Sequence, residues 1–521
     1  MTRPPRREPT PPVAPANAET YAVRMYRGLL GDCFLLTHRK DQQTFRALID
    51  CGVLQCIGAK GTKKSTELGI DRIRLVAADL MAETGGTLDL MIATHEHYDH
   101  LSGFMLAFDI LQPLTIKALW LAWTEKPGDG EAQILGDKTL KTLQKLQAIL
   151  DLSANVHKAP AMAPAFVNPG PLEAIANLLQ FYGEIDKTGG MALTGKTVPS
   201  AADRLKTRPV SCAGVLDWLK LKVGESQVSY LEPGQVVKFG IAGAMTANVL
   251  GPPRDFGKLK QLDPTTGGGR EVYLTTPDEV MALDSTLKFQ GDGGEVTLED
   301  SPFSPRFESP PGQAAGFSTA KLYADKTAAN RRIDGEWLGT AENLALKIDG
   351  DVNNTSLALA LEISGGHVLL FPADAQVGNW LSWHDQKYPN NPIPPDAPQI
   401  TATDLLNRTI FYKVGHHASH NATLRDLGLE LMTSPHLTAM IPVVEETAKE
   451  QKSKNNPGGW AMPYGDLYAR LNVKTRSRVL RGDGRINDEA KTFKASPGLF
   501  DLAYAPGSDP LWVEITTPPK A

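Results

Sequence analysis

The stretch from Met91 to Gly103, MIATHEHYDHLSG, carries three histidines, one glutamate and one aspartate within six consecutive residues. The histidines follow a short apolar run, residues 88–94, which predicts a buried strand, and this strand follows a helix predicted over about residues 71–82. A zinc-protease helix needs H-E-x-x-H, but the residue four places after His95 is Asp99. The spacing therefore predicts a loop at a strand end with the pattern H-x-H-x-D-H.

Composition limits the class of protein. The chain has 521 residues, 41% hydrophobic and 22% charged, which predicts a sizeable core in one elaborated domain or in about two to three ordinary ones. A net charge of −5 and a pI near 6.2 exclude a general attraction to nucleic acid or to anionic membranes. No apolar run reaches about 18 residues, so no membrane span is predicted.

Cysteine usage and the N-terminal segment bear on location. Four cysteines without C-x-x-C spacing favour a reducing compartment, and we expect a cytoplasmic protein. Residues 1–19 are Pro-rich and lack the apolar core of a signal peptide, which is typical of a disordered leader.

Strand-like and helix-like segments alternate along the rest of the chain. Apolar runs predict strands at 116–123, 228–239 and 245–253, and a hairpin over 355–375 across Ser364-Gly365-Gly366. Leucines at helical spacing predict a helix over about 131–152. This alternation of β-rich and helical segments predicts sheets packed face to face with helices outside.

Histidines are concentrated in two groups. Six of the eleven in the chain fall in the groups His95, His97, His100 and His416, His417, His420, and each group follows a predicted strand. Asp374 also ends a predicted strand, and Glu96 is a further candidate ligand. Because strand ends project side chains into one crevice, we expect these groups to lie close together. Imidazole and carboxylate ligands favour zinc and also admit manganese. The alternatives are hydrogen-bonded loop histidines, a surface pair in the second group, and a turn residue at Asp374.

Several segments, in order, carry a resemblance to a known family. They are GDCFLL with ALIDCG, THEHYDHLSGF, NNTSLALAL, VLLFPADA, VGHHASHN and, faintly, MPYGDLYARL with VLRGDG. On these motifs the chain resembles the metallo-β-lactamase-fold hydrolases, and more narrowly a domain of bacterial DNA-uptake (competence) channel proteins. Alanine replaces the glycine of that branch in VLLFPADA and in VGHHASHN. The resemblance covers about residues 20–125, 225–256 and 350–486. It leaves insertions at about 126–224 and 257–349 within a single domain over 20–521.

The resemblance implies an α+β fold, an αββα sandwich with two large insertions, and two divalent metal ions between the sheets. It assigns the ligands as follows: His95 and His97 to the first metal; Asp99, His100 and His417, with His416 as the alternative, to the second; and Asp374 to both. Asp50 is expected to orient ligands without binding metal. Most members of the family supply a further histidine to the first metal, and the resembled branch has asparagine there. Asn353, paired with Ser356 in its motif, is therefore expected to line an open position, and the alternative is a turn residue.

The expected chemistry follows from two metals. A metal-bound hydroxide is available near neutral pH, and a dinuclear site can clamp the oxygens of a phosphoryl or acyl centre. We expect a phosphodiesterase or nuclease in which Asp99 orients the attacking water. His420 is either a proton donor to the leaving group or a surface residue. The six basic residues of Arg470–Arg485 either guide a polyanion such as nucleic acid or form a solvated face. A thioesterase, a lactam-type hydrolase and a catalytically silent partner-binding module remain as alternatives.

Overall fold

The structure is a computed structural model and describes residues 19–54, 63–156, 179, 182, 200–261, 350–391, 394–396, 398–450 and 458–519. The predicted leader lies outside these residues except for Glu19, as do residues 157–178, 180–181 and 183–199 of the first predicted insertion and residues 262–349 of the second. Among the described helices, none combines the length and the apolar composition needed to cross a membrane.

The strands of the described residues are short and lie mostly in two large sheets. They are β1 (Thr20–Tyr26), β2 (Phe34–Lys40), β3 (Gln43–Ile49), β4 (Thr87–Leu88), β5 (Leu90–Ile92), β6 (Thr115–Ile116), β7 (Leu119–Ala122), β8 (Val228–Leu231), β9 (Val236–Phe239), β10 (Met245–Gly251), β11 (Ala358–Ile363), β12 (His367–Phe371), β13 (Lys387–Tyr388), β14 (Ile400–Thr401), β15 (Thr409–Lys413), β16 (Thr438–Ile441), β17 (Val479–Arg481), β18 (Asp501–Tyr504) and β19 (Trp512–Thr516).

The helices of the described residues range from single turns to several turns. They are α1 (Lys63–Thr84), α2 (Tyr98–Leu101), α3 (Gly103–Leu106), α4 (Phe108–Leu111), α5 (Gly130–Val156), α6 (Ala201–Lys206), α7 (Cys212–Val223), α8 (Phe256–Leu259), α9 (Val377–Trp383), α10 (Ala402–Asn407), α11 (Glu445–Glu450), α12 (Gly465–Lys474) and α13 (Ile486–Ala495).

The two large sheets combine antiparallel and parallel strands. Within the described residues, the first sheet has the order β18-β19-β1-β2-β3-β5-β7-β8, and the second has the order β17-β16-β15-β12-β11-β10-β9. Parallel pairing joins β3, β5, β7 and β8 in the first sheet and β12, β15, β16 and β17 in the second. The structure is therefore a mixed α+β fold.

The main core lies between the two sheets. Phe34 of β2 meets Phe371 of β12 edge to face with ring centroids 6.0 Å apart, and Trp120 of β7 meets Phe239 of β9 at 5.1 Å. These four side chains belong to one buried cluster to which both sheets contribute. The contacts show that the sheets pack face to face, as the alternation of strands and helices predicted.

Helices cover the outer faces of both sheets. On β2, Phe34 and Leu36 face the core between the sheets, whereas Leu35 joins a second cluster that includes Ile73 and Leu80 of α1. This alternation is the period of two that a strand buried on both faces requires. A third cluster joins α9 and α10 to the outer face of the second sheet. The order of layers is helices, sheet, sheet, helices.

Predicted elements agree with the structure at several points. The helix expected near 71–82 is the second half of α1, which ends before Gly85 and Gly86 with φ of 60° and 70°. The hairpin expected over 355–375 is the antiparallel pair β11–β12. The strands of 228–239 do not pair, because β8 joins β7 and β9 joins β10. The turn between them carries the chain from one sheet to the other.

Candidate metal centre

The H-x-H-x-D-H loop begins where β5 ends and leads into α2. Thr94 fixes its start, because the backbone N–H and the hydroxyl of Thr94 donate to the two oxygens of Asp50 at 2.9 and 2.7 Å. The chain then passes the end of β3, where a Cβ on Gly52 would lie 2.2 Å from the carbonyl carbon of Asp99. Glycine leaves room for this approach. The segment ALIDCG therefore positions the loop through Asp50 and makes space for it at Gly52.

Three histidines have one ring nitrogen held by an oxygen atom. The Nδ1–oxygen pairs are His95 with Thr94 Oγ1 at 3.0 Å, His100 with Asp50 Oδ2 at 2.7 Å, and His417 with the carbonyl oxygen of Pro442 at 2.7 Å. An Nδ1–H that donates to an oxygen leaves Nε2 unprotonated in the neutral ring. The three Nε2 atoms face other candidate ligands: His97 Nδ1 lies 3.2 Å from His95 Nε2, Asp374 Oδ2 lies 3.2 Å from His100 Nε2, and Asp99 Oδ2 lies 2.9 Å from His417 Nε2.

Asp374 follows β12, and its two carboxylate oxygens make different contacts. Oδ1 accepts hydrogen bonds from Lys413 Nζ at 3.0 Å and from the backbone N–H of His416 at 2.9 Å. The backbone N–H of Asp374 donates to Ser356 Oγ at 3.2 Å. Oδ2 lies 3.2 Å from Nε2 of His100. One oxygen is thus held by donors, and the other faces the histidines.

The second histidine group sends one side chain to Asp99. Nε2 of His417 lies 2.9 Å from Asp99 Oδ2, across the two sheets. The ring of His416 is held by the hydroxyl of Ser419, 2.8 Å from Nδ1. His420 is exposed, and its ring lies 6.1 Å from that of Tyr464. The structure therefore brings His417, rather than His416 or His420, to the first group.

Ligand atoms converge in three groups within the described part of the chain, and in each group they all lie within 4.8 Å of one another. The groups are His95, His100, Asp374; Asp99, Asp374, His417; and Asp32, Asp50, His100. Asp374 is shared by the first two groups, which is the arrangement expected of a bridging carboxylate. His97 belongs to none of the three, but its Nδ1 lies 3.2 Å from Nε2 of His95. We call the following six residues the centre: His95, His97, Asp99, His100, Asp374 and His417.

Burial and charge set the protonation of the centre. Burial lowers the pKa of His95 well below its ordinary value and lowers that of His97 to about 4. Burial also opposes the charged form of His100, but the surrounding carboxylates, led by Asp374, raise its pKa well above the ordinary value. Burial disfavours ionised Asp374, yet Lys413 and His100 hold the pKa of this carboxyl well below its usual range. The carboxylates therefore stay ionised and attract cations into the centre.

Three residues beside the centre were not predicted. Lys413 is 1% exposed, and its ammonium contacts the carboxylates of Asp32 and Asp374. Its sequence signal is a lysine inside the apolar strand TIFYK, and that of Asp32 is its place in the motif GDCFLL. Tyr182 lies with its hydroxyl 3.4 Å from Nε2 of His97. Nothing in the sequence pointed to Tyr182, because its segment lies outside the motifs.

Asn353 lies beside the loop. It is 1% exposed, and its side-chain oxygen makes no hydrogen bond to any described residue. The turn that holds Asn353 is tied to the loop, because the N–H of Leu357 donates to the carbonyl of Thr94 at 2.9 Å. The predicted role, lining an open position of the first metal, stays a prediction with this buried oxygen available for it.

Glu96 does not take part in the centre. It belongs to none of the ligand groups found among the described residues. Burial and the nearby Glu125 raise the pKa of Glu96 to about 8, while Lys220 acts in the opposite direction. Its electrostatic neighbours therefore lie toward α7, away from the histidines.

Most of the basic stretch Arg470–Arg485 is engaged inside the protein. Arg470 pairs with Glu430, Lys474 donates to the Glu430 carbonyl, Arg478 donates to the carbonyls of Pro435, Leu437 and Ser496, and Arg481 pairs with Asp483 and Glu445. Arg476 and Arg485 are exposed. The stretch thus presents a few separate charges rather than a continuous basic surface, which weakens its support for a polyanion partner.

Neither a protein-family model nor a curated protein matches this chain.

Proposed function

We propose that this chain is a metal-dependent hydrolase of the metallo-β-lactamase fold with two divalent ions in the centre. The layer order and the motif order given above support that fold. The observation that carries the proposal is the orientation of His95, His100 and His417. Each ring has Nδ1 against an oxygen and Nε2 turned toward another candidate ligand, an arrangement typical of metal-binding histidines.

Two further features of the centre fit metal ions. Asp99 Oδ1 is buried and makes no hydrogen bond within the described residues. Leaving such atoms unsatisfied costs about 1–3 kcal/mol each, and more for charged groups, so a bound ion is a natural partner. The 3.2 Å between His95 Nε2 and His97 Nδ1 also fits, since nitrogens at about 2.0–2.1 Å from one tetrahedral zinc lie about 3.3 Å apart.

The proposed ligand sets follow the sequence prediction. His95 and His97 would hold the first ion, Asp99, His100 and His417 would hold the second, and Asp374 would serve both. His100 also lies in one ligand group with His95 and Asp374. Oδ1 of Asp374 is already held by Lys413 and by the backbone of His416. His416 therefore acts through its N–H rather than its ring. Zinc is the favoured ion, and manganese is the alternative.

When bound, the ions supply Lewis acidity and lower the pKa of water toward about 7. The residues of the chain do the positioning. Asp99 contacts His417 through Oδ2, and the carboxylate oxygen of Asp99 that the ion does not engage would accept a hydrogen bond from the attacking water and orient it. Asp50 holds His100 and, through Thr94, the start of the loop. No serine or cysteine nucleophile is needed for this reaction.

The proposed substrate is a phosphodiester, either a small molecule or a locally held single strand of nucleic acid. The resemblance to the DNA-uptake branch supports it, and the net charge of −5 argues against long duplex DNA. Thioesters and lactams are the competing substrates. A catalytically silent module is disfavoured, because a silent copy would be free to lose the ligands of the centre.

The test is a substrate screen with matched variants. Purified full-length protein, loaded with zinc or manganese, is assayed with bis-p-nitrophenyl phosphate, labelled single-stranded DNA, a thioester and a chromogenic lactam. We expect cleavage of a phosphodiester that is lost in Asp99→Asn and retained in His436→Gln, a histidine outside the ligand groups found among the described residues. Turnover of the thioester or lactam alone would replace the substrate class. No turnover of any substrate would leave the silent module as the better account.

A further inference from the structure

The His97 ring is turned the opposite way from the other three histidine rings of the centre. In His95, His100 and His417, the nitrogen against an oxygen atom is Nδ1. In His97, Nδ1 lies 3.2 Å from Nε2 of His95, and Nε2 lies 3.4 Å from the hydroxyl oxygen of Tyr182. The nitrogen of His97 that faces another candidate ligand is therefore Nδ1, and the nitrogen that faces an oxygen atom is Nε2.

The position of the proton on the His97 ring follows from this orientation. A ring nitrogen that binds a metal ion carries no proton, so a neutral imidazole that binds through one nitrogen has its proton on the other. With Nδ1 as the ligand, Nε2–H needs an acceptor, and a phenolic oxygen can serve as one. The ring of Tyr182 also meets the ring of His97 edge to face, with centroids 5.4 Å apart and an interplanar angle of 82°. The hydroxyl and the ring of Tyr182 thus both contact His97.

Helix α7 holds Tyr182 in place. Tyr182 is 3% exposed, and its backbone carbonyl accepts a hydrogen bond at 3.0 Å from the N–H of Cys212, the first residue of α7. This helix in turn packs on the segment that follows the histidine loop, because Trp218 of α7 contacts Phe104 of α3 with ring centroids 6.0 Å apart. Tyr182 is therefore attached to a helix that is packed against the same segment whose histidine it contacts.

The oxygen atom beside His97 comes from a different part of the chain than the oxygens beside the other three rings. Thr94, Asp50 and Pro442 hold those rings, and all three stand within the residues that resemble the known family. Tyr182 stands in the predicted insertion over about 126–224. The motifs of the resemblance therefore give no account of what orients His97, and a residue of the insertion contacts it instead.

We propose that Tyr182 is a positioning residue for the first ion. Its hydroxyl accepts the Nε2–H of His97 and so holds the tautomer and the ring orientation in which Nδ1 can bind metal. In this role Tyr182 acts through His97 and not on the substrate. The inference rests on the proposed function, because Tyr182 has this role only if His97 is a metal ligand.

The first test is the metal affinity of Tyr182→Phe, which removes the hydroxyl and keeps the ring that packs on His97. Loss of an outer partner of a metal-binding histidine costs about 10–100-fold in metal affinity. Because 3.4 Å is long for a hydrogen bond, we expect a loss of about tenfold for one of the two ions, measured by competition with a zinc chelator.

Tyr388→Phe is the matched control for this measurement. Tyr388 is 2% exposed, its hydroxyl donates to the carbonyl of Trp383 at 3.2 Å, and it lies outside the ligand groups of the described residues. Its substitution should leave both affinities unchanged. His417→Ala should retain only the first ion, so Tyr182→Phe added to His417→Ala should weaken the binding of that remaining ion.

The second test determines the tautomer of His97 in metal-free protein labelled with ¹⁵N-histidine. The ring nitrogen resonances of His97 are identified by their absence in His97→Asn. We expect the proton on Nε2 in the unmodified chain and a partial shift of the proton to Nδ1 in Tyr182→Phe. A tyrosine that only filled space beside His97 would leave this balance unchanged, because phenylalanine fills almost the same space.

The outcomes separate this inference from the proposed function. No metal binding by the unmodified chain overturns both. Metal binding by the unmodified chain with equal affinity in Tyr182→Phe and Tyr388→Phe overturns the role of Tyr182 and leaves the proposed function intact. A His97 proton on Nδ1 in the unmodified chain, or the same tautomer balance in Tyr182→Phe, also overturns the role of Tyr182.

Discussion

The two histidine groups both follow parallel strands, but they use their residues differently. After β5, all three histidines are buried, and His95 and His100 belong to a common ligand group with Asp374. After β15, the His417 ring contacts Asp99, the His416 ring is held by Ser419, and the third histidine is exposed. A histidine-rich segment of sequence therefore marks the position of a site better than it counts the ligands.

Backbone conformation explains the difference. The first group turns directly into α2, and Asp99 and His100 are both buried on that short helix. The second group has three consecutive residues with positive φ, 44° at His416, 52° at His417 and 65° at Ala418. This tight turn points the N–H of His416 at Asp374 and the ring of His417 at Asp99. One side chain and one backbone donor thus come from a segment that offers three histidines.

Removal of the Asp374 carboxylate should reduce metal content more than any other substitution considered. Asp374→Ala deletes the side chain that is shared by the group of His95 and His100 and by the group of Asp99 and His417. It also leaves the buried Lys413 without one of its two carboxylate partners. We expect loss of nearly all bound metal and a lower melting temperature. Asn353→Ala is the matched control and should retain most of the metal. Metal content by mass spectrometry of the two purified variants decides, and equal retention would refute the bridging role of Asp374.

The next largest loss of metal affinity is expected for His417, and its neighbour His416 should show almost none. His417→Ala removes a proposed ligand of the second ion, and we expect affinity for that ion to fall by at least about 100-fold, because loss of an outer partner alone costs about 10–100-fold. His416→Ala keeps the N–H that donates to Asp374, so metal content should stay near that of the unmodified protein. Competition with a zinc chelator measures both. A larger loss in His416→Ala would reverse the assignment.

Much of this site followed from local sequence, and the rest depends on tertiary contacts. Strand ends predicted where Asp50, His95 and Asp374 would meet, since the ends of parallel strands share an edge. Lys413 and Asp32 could not be paired in advance, because one ends β15 in the second sheet and the other lies between β1 and β2. Their contact requires the packing of the two sheets, which no local spacing encodes. The crossing between β8 and β9 was missed for the same reason.

A smaller loss of metal affinity is expected for substitution of Asp50, which accepts hydrogen bonds from Thr94 and His100. Asp50→Asn keeps the size of the side chain but weakens the acceptor for His100 and Thr94. We expect about a 10–100-fold loss of metal affinity, as for other partners of metal-binding histidines. Asp109→Asn, at an exposed carboxylate paired with Arg74, is the control and should change nothing. Unchanged affinity in Asp50→Asn would show that His100 needs no such support.

The smallest change in activity is expected for substitution of His420. A general acid contributes about 10²–10⁴-fold to a rate, so the predicted role as proton donor would give a fall of that size in His420→Ala. Because the side chain is exposed and lies outside the ligand groups of the described residues, we expect a fall of less than about tenfold with unchanged metal content. Measurement of kcat on the phosphodiester found in the screen decides between these roles.

The most direct test of the central claim is the metal-to-protein ratio of the full-length chain. Protein loaded with zinc or manganese and freed of excess ion by gel filtration is analysed by inductively coupled plasma mass spectrometry. The account predicts about two ions per chain, reduced to about one in His417→Ala. A ratio near zero in the unmodified protein would contradict it, because the buried Asp99 Oδ1 would then be left without a partner among the described residues.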